Sequence, residues 1–540
     1  MESARPQFYP NTLQPTDITK ENLSLILKEL QLAIKNGVDI ISKNVQRPTD
    51  PSSYGNIYSG IPGIILTLLR LERQKSCLQQ TTDHEDNKSY SKIAFDLIMS
   101  TPTANIDLVD GRMSPIGSAL GAVLMRILAL CENHNLRLAQ DVPDLADDFT
   151  VFNKAVQNAT LHGHVVPFPG YNPIGGDEVL FGRAGLLWAI LTIEKHCLTE
   201  KTRQLVLVHL EPALECVPKL VDAIISAGKQ GSQDFVKLYG AKDAMPLMYQ
   251  WMEGYYALGA VHGTTGILTM LLSSHLNDDQ LELVAETVTG LCRVCIEHEG
   301  HFPMCIPERP AAPLKTSPFV QLCHGPPGLL ILLNTVYQNT SLLERFWRPE
   351  WELALRLGTE KIWQEGLLSK GASFCHGHTG NAWPLLYLHN IYEYNVGYQQ
   401  QAKQRGIAAL EDKSELLKGS APLDSDFFLS RALPFMMVAR ESPPYSQEVD
   451  IKTSFDFRAP DRPYSFGEGL TGQVCAWAET CAVIKARLRK MELESTSNDG
   501  HELEDGRFIE SSLQQLGLFG FVVNGPNTNQ LLFGGSLCQE

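Results

Sequence analysis

The 540-residue sequence lacks the features of a membrane or nucleic-acid-binding protein. No apolar run approaches the ~18 residues of a membrane span, and the polar stretch 1–19 contains no apolar core of a secretory leader. Glu2 stands where N-myristoylation requires glycine. Basic residues number 45 against 61 acidic ones, so a phosphate-binding stripe is not expected. We therefore predict no transmembrane segment and no nucleic-acid partner.

A compact disulfide framework is also lacking. The twelve cysteines are scattered, and this spacing in a chain without an evident leader is typical of a reducing compartment. We therefore predict free thiols and a cytoplasmic location. Hydrophobic residues form 44% of the chain, which suffices for a large core, and length alone would suggest two or three domains.

A recurring glycine pattern changes that domain prediction. In each copy two glycines, usually two residues apart, precede an apolar run that is poor in charge and too long for a typical strand. The seven copies start at Gly60, Gly117, Gly182, Gly263, Gly325, Gly377 and Gly469. Self-similarity on this scale is typical of repeat architectures.

Longer amphipathic segments lie between the apolar runs, for example at 205–227, 278–298 and 342–363. Seven buried helices surrounded by seven amphipathic ones would account for both kinds of segment. We therefore predict an all-α fold, an α/α toroid with seven inner and seven outer helices. Residues 1–506 would form this single domain, and 507–540 a tail to which no structure is assigned.

Two of the repeats carry side chains that bind metals. Cys-His-Gly occurs at 323–325 and at 375–377, each time before a predicted helix. Cysteine and histidine are the preferred zinc ligands, and a catalytic site uses three protein ligands and leaves one position open. Cys323, Cys375 and one histidine would meet that count. Ordinary buried thiols at helix starts are the alternative.

A rival cluster stands at Cys292, Cys295, His298 and His301. Its spacing of three residues resembles a metal site, but it also places all four side chains along one stripe of a helix. A packed helix face therefore explains the same pattern.

At 323–325 and in Cys375-His376-Gly377-x-x-Gly380-Asn381-Ala382, the sequence resembles the lanthionine synthetase C-like family, in its eukaryotic branch. The glycine repeat extends the resemblance from about residue 54 to 472. The resemblance implies an α/α toroid with one zinc ion held by Cys323, Cys375 and His376. Bacterial members add a cysteine thiol to dehydroalanine or dehydrobutyrine. For eukaryotic members it implies addition of glutathione to dehydroamino acids in polypeptides.

The resemblance implies functional roles for four further residues. His262 matches a general acid, and Glu178 matches its acidic partner, although each would also suit a helix start. Lys370 and Arg5 match residues linked to glutathione use, although Lys370 could equally be a solvated lysine. Phe319 stands where bacterial cyclases carry an arginine, which argues against peptide cyclisation.

The resemblance thus implies a zinc-dependent enzyme with glutathione as co-substrate and a dehydroamino-acid-containing polypeptide as partner. Two other functions stay open. One is a non-catalytic scaffold that binds zinc and glutathione in signalling. The other is a tailoring enzyme of small-molecule or peptide biosynthesis. Retention of His262 and Glu178 beside the metal ligands favours the enzyme. A separate expectation is that Arg183 pairs with Glu178.

Overall fold

A computed structural model describes residues 5–45, 54–78, 89–99, 106–132, 145–167, 172–196, 200–308, 318–394, 401, 404–405 and 423–496. The tail predicted at 507–540 lies outside these residues. The first helices are α1 (Lys20–Asn44), α2 (Ile61–Arg73), α3 (Lys75–Leu78), α4 (Tyr90–Met99), α5 (Leu120–Glu132), α6 (Leu145–Ala159), α7 (Arg183–His196), α8 (Glu200–Glu215) and α9 (Val217–Tyr239). They are followed by α10 (Thr264–Leu272), α11 (Asp278–Glu297), α12 (Pro326–Gln338), α13 (Thr340–Phe346), α14 (Pro349–Glu365), α15 (His378–Tyr394), α16 (Ser425–Val438), α17 (Tyr445–Glu448) and α18 (Leu470–Thr496).

Seven of these helices begin at the seven glycine repeats, as the sequence predicts. They are α2, α5, α7, α10, α12, α15 and α18. Each packs against the next in this order, and α18 packs back against α2, so the helices close a ring. Their N-terminal halves are almost entirely buried, and every residue of α10 is buried, as expected of helices enclosed by others.

The remaining long helices form an outer layer. Helix α1 packs on α18, α4 on α2, α6 on α5, α8 and α9 on α7, α14 on α12, and α16 on α15, while α11 contacts both α10 and α12. These helices are amphipathic: α1 buries Leu23 and Leu30 on one face and exposes Lys28 and Asp39 on the other. The predicted all-α toroid, with an inner and an outer layer of helices, is confirmed.

The second glycine of a repeat allows the chain to fold tightly over the start of its own helix. A Cβ atom on Gly380 would lie 1.8 Å from the carbonyl oxygen of Phe374, and one on Gly266 would lie 1.9 Å from that of Ala260. No side chain fits there. The loop before each inner helix is therefore held against the helix N-terminus, and these loops share one end of the ring.

A small antiparallel sheet at the same end was not predicted from the sequence. Its strands are β1 (Val165–Val166), β2 (Ile174–Gly175), β3 (Gln250–Met252), β4 (Tyr255–Ala257) and β5 (Cys305–Ile306), paired in that order. The pairing shifts between Gln250 and Met252, which leaves Trp251 as a bulge. Strands of two or three residues are too short to show an alternating pattern.

No helix in the described ranges is long and apolar enough to cross a bilayer. The cysteines that the structure describes are free thiols, in agreement with the sequence analysis.

A buried ion pair joins the first and last inner helices, and its loss is expected to destabilise the ring. The Nη2 atom of Arg70 lies 2.8 Å from Oε2 of Glu479, and both side chains are at most 2% exposed. Glu479→Ala leaves the guanidinium buried without its carboxylate, so we expect the free energy of unfolding to fall by about 3–5 kcal/mol. Urea unfolding measures this change.

The control is Glu492→Ala, which removes an exposed partner of Lys20 between α1 and α18. An exposed pair contributes only about 0–1 kcal/mol. Equal effects of the two substitutions would show that the buried pair has no special role in closing the ring.

Candidate functional site

Three predicted ligands converge at the glycine-repeat end of the ring. The ligand atoms of Cys323, Cys375 and His376 all lie within 4.8 Å of one another. Both cysteines are buried, and His376 is partly exposed. The Cys323 N–H donates to the carbonyl of Cys375 at 3.2 Å, and the Cys375 N–H donates to the carbonyl of Gly467 at 2.9 Å. Loops from three consecutive inner helices therefore fix the two thiols.

The pKa values of the two thiols shift in opposite directions because the two sulfurs share one buried space. Burial raises the pKa of Cys323 well above its ordinary value, whereas the hydrogen bond from Cys323 lowers the pKa of Cys375. Gln321 also donates from Nε2 to the Cys323 sulfur at 3.2 Å. This arrangement favours negative charge on the Cys375 sulfur, and two cysteines with one imidazole are a donor set that fits a zinc ion with one open position.

The rival cluster does not form a comparable site. Cys292 and Cys295 are fully buried, and burial raises the pKa of both, that of Cys295 to about 12. His298 hydrogen-bonds through Nδ1 to the carbonyl oxygen of Val294, and His301 pairs through Nε2 with Glu365. Among the residues described, these four are not a group whose ligand atoms converge. The packed-face interpretation therefore explains Cys292 and Cys295, whereas His298 and His301 follow the end of α11 and pair with other groups.

A second group of potential metal ligands is already paired with basic side chains. His389, Glu393 and Asp426 have ligand atoms within 4.8 Å of one another. Arg487 Nη1 lies 2.9 Å from Glu393 Oε1, and Lys490 Nζ lies 3.0 Å from the same oxygen. Two cations on one carboxylate indicate a structural ion-pair network, since a metal ion would be repelled there.

The predicted acid–base pair is assembled. His262 Nδ1 lies 2.6 Å from Glu178 Oε2, and the Glu178 side chain is only 3% exposed. The other oxygen of Glu178 accepts the Phe181 N–H at 2.8 Å, so the carboxylate is fixed in position. The expected pairing of Arg183 with Glu178 is wrong: Arg183 pairs with the neighbouring Asp177, with Nη1 lying 2.6 Å from Oδ1. Glu178 is already engaged by His262 and by the backbone.

An aromatic row connects this pair to the thiols. Trp251 stacks on His262 with ring centroids 4.2 Å apart and planes 18° apart. His262 in turn lies 5.9 Å from the ring of His324, which follows Cys323 in the chain. Phe319 lies 6.4 Å beyond His324. We call Trp251, His262, His324 and Phe319 the aromatic row.

Sequence reasoning missed Trp251. A β-bulge turns its side chain toward His262, which is a common use of bulges beside active sites. The sequence does contain one signal for this hairpin: the turn residue Gly254 stands between two pairs of aromatic residues, Tyr249 with Trp251 and Tyr255 with Tyr256. Such a pattern favours two short strands joined by a turn.

The two predicted glutathione residues lie at the Phe319 end of the aromatic row. Lys370 Nζ lies 5.3 Å from the Phe319 ring centroid and 3.4 Å from Gln321 Oε1. Arg5 belongs to an N-terminal segment in which Phe8 bridges to Leu368, two residues before Lys370.

Arg5 itself pairs with Asp456. Its Nε atom lies 2.8 Å from Oδ2 of this carboxylate, which has its pKa lowered by the hydrogen bond from Arg5. The two side chains are 48% and 74% exposed, so the pair is on the surface and open to exchange with another anion.

The chain matches known proteins over most of the toroid. Residues 52–423 match the family model described as lanthionine synthetase C-like protein. The chain is 32% identical to Glutathione S-transferase LANCL1 of Danio rerio over 218 residues, 40% of this chain and 47% of that protein. It is 30% identical to LanC-like protein GCL1 of Arabidopsis thaliana over 316 residues, 58% of each chain.

The chain thus spans about half the length of the curated relatives that it matches. The family match includes the first six glycine repeats and the segments at 323–325 and 375–382. The last inner helix, α18, lies beyond the matched residues and still closes the same ring. Fold, repeats and family match agree, and the chain belongs to the lanthionine synthetase C-like protein family.

Proposed function

We propose that the protein adds the thiol of glutathione to dehydroalanine or dehydrobutyrine residues of polypeptides in a zinc-dependent reaction. One observation carries the proposal: the Cys323, Cys375 and His376 donor set stands beside the His262–Glu178 pair, connected through the His324 ring. The relative that is named as a glutathione S-transferase supports the choice of thiol.

Cys323, Cys375 and His376 would hold the zinc ion. When bound, the ion would lower the pKa of a coordinated thiol, so that a thiolate nucleophile is available at neutral pH. Gln321 keeps the Cys323 sulfur oriented through its hydrogen bond. Burial of both cysteines limits access of bulk water to the sulfurs.

The addition also requires a proton. The glutathione sulfur bonds to the β-carbon of the dehydroamino acid, and the π electrons of the alkene pass to the adjacent carbonyl as an enolate. His262 then donates a proton to the α-carbon and recovers one from solvent, which receives the proton lost by the thiol. Glu178 positions the imidazole through Nδ1 and leaves the other ring nitrogen to carry the transferred proton.

Lys370 and Arg5 would bind the two carboxylates of glutathione. Lys370 lies at the Phe319 end of the aromatic row, and the N-terminal segment that contains Arg5 reaches the same region through the bridge between Phe8 and Leu368. A glutathione carboxylate could replace Asp456 as the partner of Arg5. Asp456 is already largely exposed, so the exchange would leave no buried charge without a partner.

The test is incubation of the purified protein with glutathione and a dehydroalanine peptide, followed by mass spectrometry with and without a metal chelator. We expect a glutathione adduct that disappears with chelator and returns on addition of zinc. Absence of any adduct across several dehydroamino peptides would overturn the enzymatic proposal and favour the non-catalytic scaffold.

Replacing Lys370 is expected to weaken glutathione use more than metal binding. A hydrogen bond to a charged group contributes ~1.5–3 kcal/mol, so Lys370→Ala should raise the KM for glutathione by about 10–100-fold with little change in zinc content. Steady-state kinetics and metal analysis on one preparation measure both effects. The control, Lys361→Ala, removes a lysine of α14 that pairs with Glu365. An unchanged KM in Lys370→Ala would make Lys370 a bystander.

A further inference from the structure

A cavity of about 560 Å³ opens at the Trp251 end of the aromatic row, the end opposite Lys370. Glu178, Phe181 and Trp251 contribute to its wall, so it adjoins the acid–base pair directly. The proposed function uses the Lys370 end for glutathione and leaves this cavity without an occupant.

The wall of the cavity combines an apolar surface with a few polar groups. Trp251, Phe181 and Met252 supply aromatic and thioether surface, and Met252 is 39% exposed at the rim. Asn172 and Arg112 supply polar groups, with the guanidinium carbon of Arg112 lying 4.5 Å from the Phe181 ring centroid. Hydrogen-bonding groups around an apolar wall suit a peptide backbone that carries an apolar side chain.

We propose that this cavity is the subsite for the polypeptide substrate and takes an apolar side chain that flanks the dehydroamino acid. Met252 and Trp251 set this specificity. The inference rests on the proposed function. Glutathione and polypeptide then approach from opposite ends of the aromatic row, and the alkene lies between them beside His262. A charged flanking side chain is disfavoured because contact with Trp251, Phe181 and Met252 would remove part of its hydration.

Binding can be measured apart from the reaction with unreactive peptides, in which alanine replaces dehydroalanine between two leucines or two aspartates. Calorimetry of the zinc-loaded protein should show at least about tenfold tighter binding of the leucine peptide. Met252→Lys should remove this preference, and Met252→Ser should reduce it by a smaller factor. Both variants should keep zinc content and glutathione affinity.

The control is Leu25→Lys, which changes an exposed apolar residue of α1 that does not line the cavity. A preference that persists in Met252→Lys, a preference for the aspartate peptide, or no binding of either peptide would overturn the subsite. Failure of the proposed function looks different, since peptide would bind but no glutathione adduct would form from the dehydroalanine version.

Discussion

Replacing Cys375 with alanine is expected to lower the zinc content of the purified protein from about one ion per chain to nearly none. Among the described residues, three side chains converge at this position, and a site with three protein ligands rarely keeps its metal after losing one. The remaining thiol, Cys323, loses its hydrogen bond to Cys375 and the cation that would offset the cost of its charge. Metal analysis after gel filtration measures the change.

Cys292→Ala is a matched control, because it also removes a fully buried thiol but from the packed face of α11. It should keep full zinc occupancy while it lowers stability by a similar amount. If Cys292→Ala lost as much zinc as Cys375→Ala, the metal site would have to be moved to the rival cluster.

Replacing His262 with alanine is expected to reduce turnover by ~10²–10⁴-fold, the usual share of general acid–base catalysis. The variant should retain zinc and bind glutathione normally, because His262 is neither a predicted metal ligand nor near Lys370. Thiol addition to the β-carbon would still be possible, but the α-carbon would have to take its proton from water. The rate of adduct formation, compared with zinc content in one preparation, measures this loss.

His301→Ala provides the control for His262→Ala. His301 also pairs with a glutamate, Glu365, at 3.0 Å, but this pair lies outside the candidate site. Loss of activity in both variants would indicate a general effect on folding. Full activity of His262→Ala would remove His262 from the mechanism.

The sequence predicts the ring well because the fold leaves no room for a side chain at the start of each inner helix, and this requirement is visible in the sequence as a glycine repeat. Gly266 and Gly380 stand where any Cβ would collide with backbone oxygen, so the repeat identifies each inner helix and the loop before it. The same repeat predicts that Cys323, Cys375 and His262 stand in equivalent loops at one end of the ring. Residues far apart in the sequence can therefore be predicted to lie close together from a pattern that is local.

Other features depend on contacts that no local pattern records. The strands were missed because each has only two or three residues, and Trp251 was missed because a bulge, not a period, turns it toward His262. Arg183 pairs with Asp177 and not with Glu178, although the two acids are adjacent in sequence. The roles of Arg5 and Lys370 stay predictions, as does a domain boundary at residue 506.

The closure of the ring has a consequence for synthesis on the ribosome. Cys375 donates its N–H to Gly467, and α18, which follows Gly467, packs on both α2 and α15. Both thiols leave the ribosome well before these last partners are translated, so for part of synthesis they lack the contacts that fix them. A nascent chain in this state exposes two unpaired thiols to oxidation or to capture of a wrong metal ion. Loading of the proposed zinc ion would therefore be a late event that follows completion of the last repeat.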